Sequence, residues 1–335
     1  MTPNAKVMAV IKADAYGHGM EVAAEQLAAA DGFAVASIDD VLRLRDAGVD
    51  KKLHLLSAVF DVEQLILMVE QNVQPVIYAW EQLQVLEQLD PQSGLSVWIK
   101  VDTGMGRLGF SVEELPEVMR RVKACTGLAD YSLMSHLANA DKPEYPNNAQ
   151  QASAFKKLLA GYPELKAGSL LNSAGIIAYS NAAHDTVRPG LMLYGISPII
   201  GQSAVDLDLK PVMTLKSRLI SVKSMPSGSS IGYGGTYTLD ADSRIGIVAC
   251  GYGDGYPRHA TNGTPVLLNG ILVPLIGRVS MDMLVVDLGE LPANVGDEVI
   301  LWGPDNPIEE VAKAAGTIAY ELCCGILPRV ERLVL

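Results

Sequence analysis

The stretch VIKADAYGHG, residues 10–19, joins an apolar run to a lysine, a tyrosine, a histidine and two glycines. It reads as the end of a buried strand, VMAVIKA (7–13), and a buried strand that finishes on an ammonium group needs a reason, because an unpaired charge is costly to desolvate. Seven more apolar, β-branched runs follow: GFAVAS (32–37), LHLLSA (53–58), QPVIYA (74–79), LSVWIKV (95–101), YSLMSH (131–136), SLLNS (169–173) and TVRPGLMLYG (186–195). Helix starts lie between them, with Ser37 before Asp40, Asp61 before Gln64, and Ser111 with Glu114 as a capping box. Eight β units alternating with helices predict an α/β fold, a parallel (β/α)8 TIM-type barrel over residues 1–205, in preference to an open doubly wound sheet.

After GQSAVDLDLKP (201–211) the pattern changes to β runs without helices between them: RLISVKSM, RIGIVAC, TPVLLNG, ILVPLIG, MLVVDL and DEVILWG. These predict a second, mostly β domain over residues 206–335, closed by one helix with Asn306 as N-cap, Pro307 in its first turn, and EEVAKAAGTIAYELC as its body.

The totals narrow the function. A net charge of −12 argues against a nucleic-acid surface or an anionic membrane as partner. No apolar run approaches the roughly 18 residues of a membrane span. Cys125, Cys250, Cys323 and Cys324 have neither metal-type nor disulfide-framework spacing and are expected as buried free thiols in a reducing compartment; no metal is expected. No secretory signal is visible at Met1, and the expected location is the cytoplasm.

In a barrel of this kind the chemistry gathers at the carboxyl ends of the strands. Strand one ends at Lys12, strand five runs into Arg107, strand six ends at His136, strand seven at Asn172 and Ser173, and strand eight carries Arg188. A desolvated lysine near other cations has a lowered pKa and attacks carbonyls at neutral pH, so Schiff-base chemistry is its natural use. The carbonyl belongs either to a substrate, as in an aldolase, or to pyridoxal phosphate. The hydroxyls of Tyr16 and Ser173 and the amides near Gly190 and Tyr194 are suitable phosphate ligands and favour the cofactor. Two glycine clusters mislead. GMGRLG (104–109) satisfies the dinucleotide pattern, but its helix starts at Ser111, beyond the third glycine, and CGYGDGYP (250–257) runs into a proline and a turn.

VIKADAYGHG resembles the lysine-attachment motif of the alanine racemases, pyridoxal-phosphate enzymes with a barrel and a β domain. VDTGMGRLG, SHLANAD, NSAG, VRPGLMLYG, IGYGGTY, GYGDGYPR and GRVSMDM resemble that family's motifs in order, over nearly the whole chain. The resemblance implies an alanine racemase that interconverts L- and D-alanine by two-base proton transfer, for peptidoglycan or for D-alanine catabolism. Lys12 would hold the cofactor and act as base on one face of Cα, and Tyr233 on the other. His136 would bond Tyr233, and Arg188 would bond His136 and the pyridine nitrogen. Arg107 would steady the cofactor and the substrate carboxylate, and Lys100 would be a carbamylation site. Met281 would meet the substrate carboxylate through its amide, Tyr252 would be a gate, and Asp141, Arg258 and Arg278 would line the entrance. Tyr233 and Met281 would complete the site of the other subunit, making the homodimer a requirement.

Two features depart from the family's pattern. Only eleven residues precede Lys12, where relatives carry a further strand and helix, and Pro328 stands near the place of a tyrosine that some members pack by the phosphate. A serine or broader amino-acid racemase, and a non-catalytic cofactor-holding protein that would need Lys12, Ser173 and Arg188 but not Tyr233, are the alternatives.

Overall fold

The computed structural model describes residues 2–57 and 59–335; Met1, and Ala58 at the end of the third predicted strand, lie outside the described residues. The chain forms two compact units, one running to Leu193 and including Pro198–Gly201, the other comprising Tyr194–Ser197 and Gln202–Leu335.

The first unit holds β1 (Lys6–Val10), β2 (Gly32–Val35), β3 (Lys52–Leu55), β4 (Val73–Ile77), β5 (Leu95–Lys100), β6 (Leu128–Met134), β7 (Gly168–Ser169) and β8 (Thr186–Val187). They pair in parallel in the order β7-β6-β5-β4-β3-β2-β1-β8. A single parallel bridge between Asn172 and Arg188 joins the two ends of the series, making the nearly closed (β/α)8 barrel. There the Arg188 amide donates to Leu171 O at 2.9 Å and Ser169 Oγ to Thr186 O at 2.8 Å. Residues successive along the strands are buried alike, such as Met8 with Ala9 and Phe33 with Ala34. This double-sided burial is why the strands read as continuous apolar runs rather than alternating ones.

The helix starts at Ser37 and Asp61 are present; the Ser111–Glu114 contacts also form, but that helix opens at Leu115, with Glu114 as its N-cap, rather than at Ser111. Ser37 Oγ accepts from Asp40 N at 3.0 Å, Asp61 Oδ1 from Gln64 N at 2.8 Å, and Ser111 and Glu114 exchange bonds of 2.8 and 3.2 Å. Three further expectations are corrected. The first strand stops at Val10, so Lys12 lies past its end. The seventh and eighth are two residues each, because Ser173 opens a helix capped by Asn172 and Leu191–Tyr194 turns into 3-10 geometry. The closing helix is two, Ile308–Ala315 and Ala319–Cys324, with Pro307 as N-cap. Gly316 ends the first in a left-handed cap, φ 70°, while Asn306 is buried and donates instead to the carbonyls of Pro265, Ile300 and Leu301.

In the second unit β9 (Leu215–Met225), β12 (Ser243–Val248), β13 (Pro265–Leu268), β14 (Ile271–Ile276), β15 (Leu284–Gly289) and β16 (Glu298–Trp302) form a closed antiparallel barrel, β12-β15-β14-β13-β16-β9. A small hairpin, β10 (Ser230–Ile231) with β11 (Tyr237–Thr238), stands beside it and carries Tyr233 in its connection. The cysteines are free; Cys250 and Cys323 are buried as expected, but Cys125 is half-buried and Cys324 exposed.

Candidate active site

Lys12 opens a turn in which Ala13, Asp14, Ala15 and Tyr16 all adopt left-handed backbone, with φ of 53–54°. Each L-residue is disfavoured there by roughly 1–2 kcal/mol, so four in succession need compensation. It comes from Gly17 N donating to Ala13 O at 3.1 Å, Gly19 N to Asp14 O at 3.0 Å and Met20 N to Asp14 Oδ1 at 3.1 Å. His18 Nδ1 lies 3.0 and 2.9 Å from the carbonyls of Ala15 and Tyr16. Carbonyls only accept, so Nδ1 carries the proton. The histidine and glycines of VIKADAYGHG therefore hold the turn that follows the lysine.

That turn brings buried Tyr16 against Gly190, just past the neighbouring strand β8. A Cβ on Gly190 would lie 2.7 Å from the Tyr16 hydroxyl, so any side chain there would have to displace the Tyr16 ring. Ser173 joins them, its Oγ accepting from Gly190 N at 2.7 Å and Met192 N at 3.3 Å, which leaves its own hydrogen to donate outward. Asn172 orients Ser173 by accepting from Gly175 N at 2.9 Å. Two hydroxyl donors facing a glycine backbone make a cradle for an oxyanion.

Beside the cradle the barrel mouth is strongly cationic. Arg188 is buried, donating to Ser169 Oγ at 2.6 Å, Ser135 O at 2.6 Å and Leu170 O at 3.2 Å, with Nη2 also 3.3 Å from His136 Nδ1. Burial lowers its pKa to about 10, which still leaves it charged at neutral pH. Burial, then the charges of Arg188, Lys100, Arg107 and Lys12, hold His136 well below the usual histidine range, so its ring is neutral. Lys100 is pushed down to about 8 by burial and by Arg188, Arg107 and Lys12, with Asp102 opposing. Four like charges gathered around a neutral ring fit an anionic occupant.

Arg107 is exposed and rides on a loop built around Asp102, whose carboxylate accepts from the amides of Gly104, Met105, Gly106 and Arg107 at 2.7–3.2 Å. Burial pushes the Asp102 carboxyl up, but those amides together bring it below the usual range. GMGRLG is thus a loop wrapped on one carboxylate. Buried Gln151 ties this loop to strand six, donating to His136 O at 3.0 Å and Thr103 Oγ1 at 3.4 Å while accepting from Ala138 N at 2.9 Å.

Lys12, Tyr16, Lys100, Arg107, His136, Asn172, Ser173, Arg188, Gly190 and half-buried Asp141 belong to the first unit. Tyr194, buried, belongs to the second, as do Tyr233, Tyr252, Arg258, Arg278 and Met281, all exposed, with Tyr233 at 70% and Met281 at 54%. Within that unit Gly234, next to Tyr233, has left-handed backbone, φ 74°, which favours glycine, and lies close to the Arg278 guanidinium. Sequence reasoning missed Asp102, Ser135, Gln151, Ser169 and Arg329. Only Asp102 had a local signal, an aspartate leading into a glycine-rich loop whose amides it can collect.

Comparison with known proteins agrees with this geometry. The family model for the alanine racemase N-terminal domain matches residues 1–198 and that for the C-terminal domain residues 212–334. The alanine racemase of Aeromonas hydrophila is 45% identical over 330 residues, covering 98% of this chain and 92% of that protein. That of Vibrio parahaemolyticus is 46% identical over 331 residues, with the same coverage. Among solved structures, the biosynthetic alanine racemase of Pseudomonas aeruginosa superposes with a TM-score of 0.95 at 42% identity, covering 99% of this chain and 92% of that one. The alanine racemase of E. faecalis gives 0.88 at 35% identity, covering 98% and 90%. With both domains matched in order, the chain belongs to the alanine racemase family.

Proposed function

We propose that this protein racemises alanine with pyridoxal phosphate held at Lys12, as a homodimer in which a second copy supplies Tyr233 and Met281. The observation that carries the reading is the meeting of Lys12, Lys100, Arg107 and Arg188 around His136, next to the Tyr16, Ser173 and Gly190 cradle. A phosphate fits the cradle, and the cations fit a phenolate oxygen and a substrate carboxylate. Bound pyridoxal phosphate would supply an electron sink that lets the Cα proton leave.

The chain's own groups do the rest. The Lys12 amine takes or returns the proton on one face of Cα, and the Tyr233 hydroxyl does so on the other. A free phenol has a pKa of about 10, so Tyr233 needs a partner, and the Nε2–H of neutral His136 is a donor suited to a phenolate. Arg188 would be the residue that faces the pyridine nitrogen of bound cofactor, and because a guanidinium does not give its proton away it would keep the electron sink weak and restrain side reactions. Arg107 and the Met281 amide meet the substrate carboxylate. Tyr252 gates the approach, with Asp141, Arg258 and Arg278 lining the way in and the backbone near Tyr194 completing the phosphate surroundings. Lys100, with its pKa near 8, presents neutral amine to carbon dioxide: the N–C bond forms, a proton leaves, and one of four clustered cations becomes an anion beside Arg107.

The test is to incubate the protein with pyridoxal phosphate and L-alanine in deuterium oxide and analyse the alanine recovered. Deuterated D-alanine is the expected product. Exchange confined to L-alanine would overturn the two-base assignment, and no exchange at all would overturn the choice of alanine.

A further inference from the structure

The glycine cluster CGYGDGYP is where three segments of the second unit meet. A Cβ on Gly251 would lie 2.3 Å from Ser280 O and 2.4 Å from Met281 O, one on Gly255 2.1 Å from Gly325 O, and one on Gly253 2.7 Å from Arg329 Nη2. The backbones are stitched by Tyr252 N to Ser280 O at 3.0 Å, Gly253 N to Met281 O at 2.8 Å and Leu327 N to Asp254 O at 3.1 Å.

Arg329, on the third segment, reaches both of the others. Its Nε donates to Asp254 Oδ1 at 2.7 Å, its Nη1 to Asp282 Oδ1 at 2.9 Å, and its Nη2 stands 3.5 Å from Met281 O. Asp254 is itself anchored, its other oxygen accepting from Gly251 N at 2.8 Å. The Arg329 side chain is 46% exposed, so each ion pair by itself contributes little stability. What a rigid planar fork supplies here is geometry, since one guanidinium sets the spacing between two carboxylates on separate loops.

Resting on the racemase reading, in which the Met281 amide meets the substrate carboxylate and Tyr252 gates the approach, we propose that Arg329 is a positioning residue for carboxylate recognition. It locks the 280–282 loop onto the 251–255 loop and so fixes where the Met281 amide points.

The test compares holoenzymes of the wild type, Arg329→Met, which keeps an apolar stem without the fork, Arg329→Lys and Asp282→Asn. For Arg329→Met the KM for L- and D-alanine should rise together by about tenfold, with kcat within about twofold. Affinity for ethylamine, which has the amine but no carboxylate, should not change. Asp282→Asn, which cuts one arm, should raise KM by roughly threefold. Amide hydrogen exchange at Tyr252 and Gly253 should quicken in Arg329→Met whatever the substrate. Unchanged exchange would overturn the clamp. Faster exchange with an unaltered alanine KM, or ethylamine weakened alongside alanine, would overturn the carboxylate role. A wild type inactive on alanine would instead overturn the racemase reading, and exchange alone would then decide the clamp. Should Arg329→Met fail to fold, Arg329→Lys and Asp282→Asn carry the same comparison.

Discussion

Arg188 Nη2 sits 3.3 Å from His136 Nδ1, and this approach sets the tautomer of the histidine. A guanidinium only donates, so Nδ1 accepts, and a ring kept neutral by its surroundings carries its one proton on Nε2. With its oxygen committed to Gly175 N, Asn172 presents Nδ2 3.3 Å from Nε2, but the charged guanidinium is the stronger donor and takes the ring's one acceptor nitrogen, leaving Asn172 Nδ2 a neighbour of Nε2. Arg188 thus decides which face of His136 can donate.

Replacing that arginine by lysine tests the arrangement. A compact ammonium lacks the spread of the guanidinium fork, whose Nη1 serves Ser169 Oγ while Nη2 serves Ser135 O and Leu170 O. Arg188→Lys is expected to lose about 2–3 kcal/mol of stability, read from the urea midpoint. Racemisation should fall by at least ~100-fold as the proton-transfer geometry loosens. Wild-type kcat in this variant would mean that the guanidinium does not set His136.

Lys100 gives a pH signature in the cofactor-free protein kept free of carbon dioxide, where its amine stays unmodified. Its folded pKa of about 8 lies below its ordinary 10.5, so between those values the unfolded chain holds the extra proton and stability from this group rises with pH. Below about pH 8 both states are charged and the folded one bears the whole penalty. Lys100→Met should therefore be more stable than the wild type at pH 7, by on the order of 1–2 kcal/mol, with the gap closing towards pH 10. Denaturant midpoints across that range check it; a gap that stays constant would show that Lys100 carries no burial penalty.

The left-handed turn after Lys12 is open to a stabilising substitution. Ala13 is exposed, with φ 53°, and its Cβ makes the conformation unfavourable. Ala13→Gly relieves that clash but frees the unfolded chain, for a net gain of about 0.5–1 kcal/mol. Calorimetry should find Tm raised by about 1–3 °C, with cofactor retention unchanged. Ala13→Val, with a branched Cβ, should lower Tm instead. A Tm that falls with glycine would contradict the strain account.

Much of this was legible in the sequence because it follows from periodicity. Burial on both faces makes each parallel strand an unbroken apolar run, so eight such runs between helix caps announce a barrel, and the loss of intervening helices after residue 211 announces a β domain. Ser37 and Asp61 were readable because a cap acts over three residues. The short seventh and eighth strands misled because SLLNS and TVRPGLMLYG are apolar for burial beneath the barrel mouth, which a 3-10 turn or a helix start satisfies as well as a strand does.

By itself the sequence determined the order of elements, the two-part division and the convergence of Lys12, His136, Ser173 and Arg188 at one end of the barrel, because strand alternation and chain direction are local properties. Tertiary structure decided the rest. It alone shows that Lys12 leads into four left-handed residues, that Asp102 gathers four amides under Arg107, that Gln151 spans from His136 to Thr103, and that Arg329 joins Asp254 to Asp282. Those are contacts between residues distant in the chain, or backbone states that neighbouring turns enforce. Their energies depend on distance and burial in the folded molecule, which no local pattern of residue types encodes.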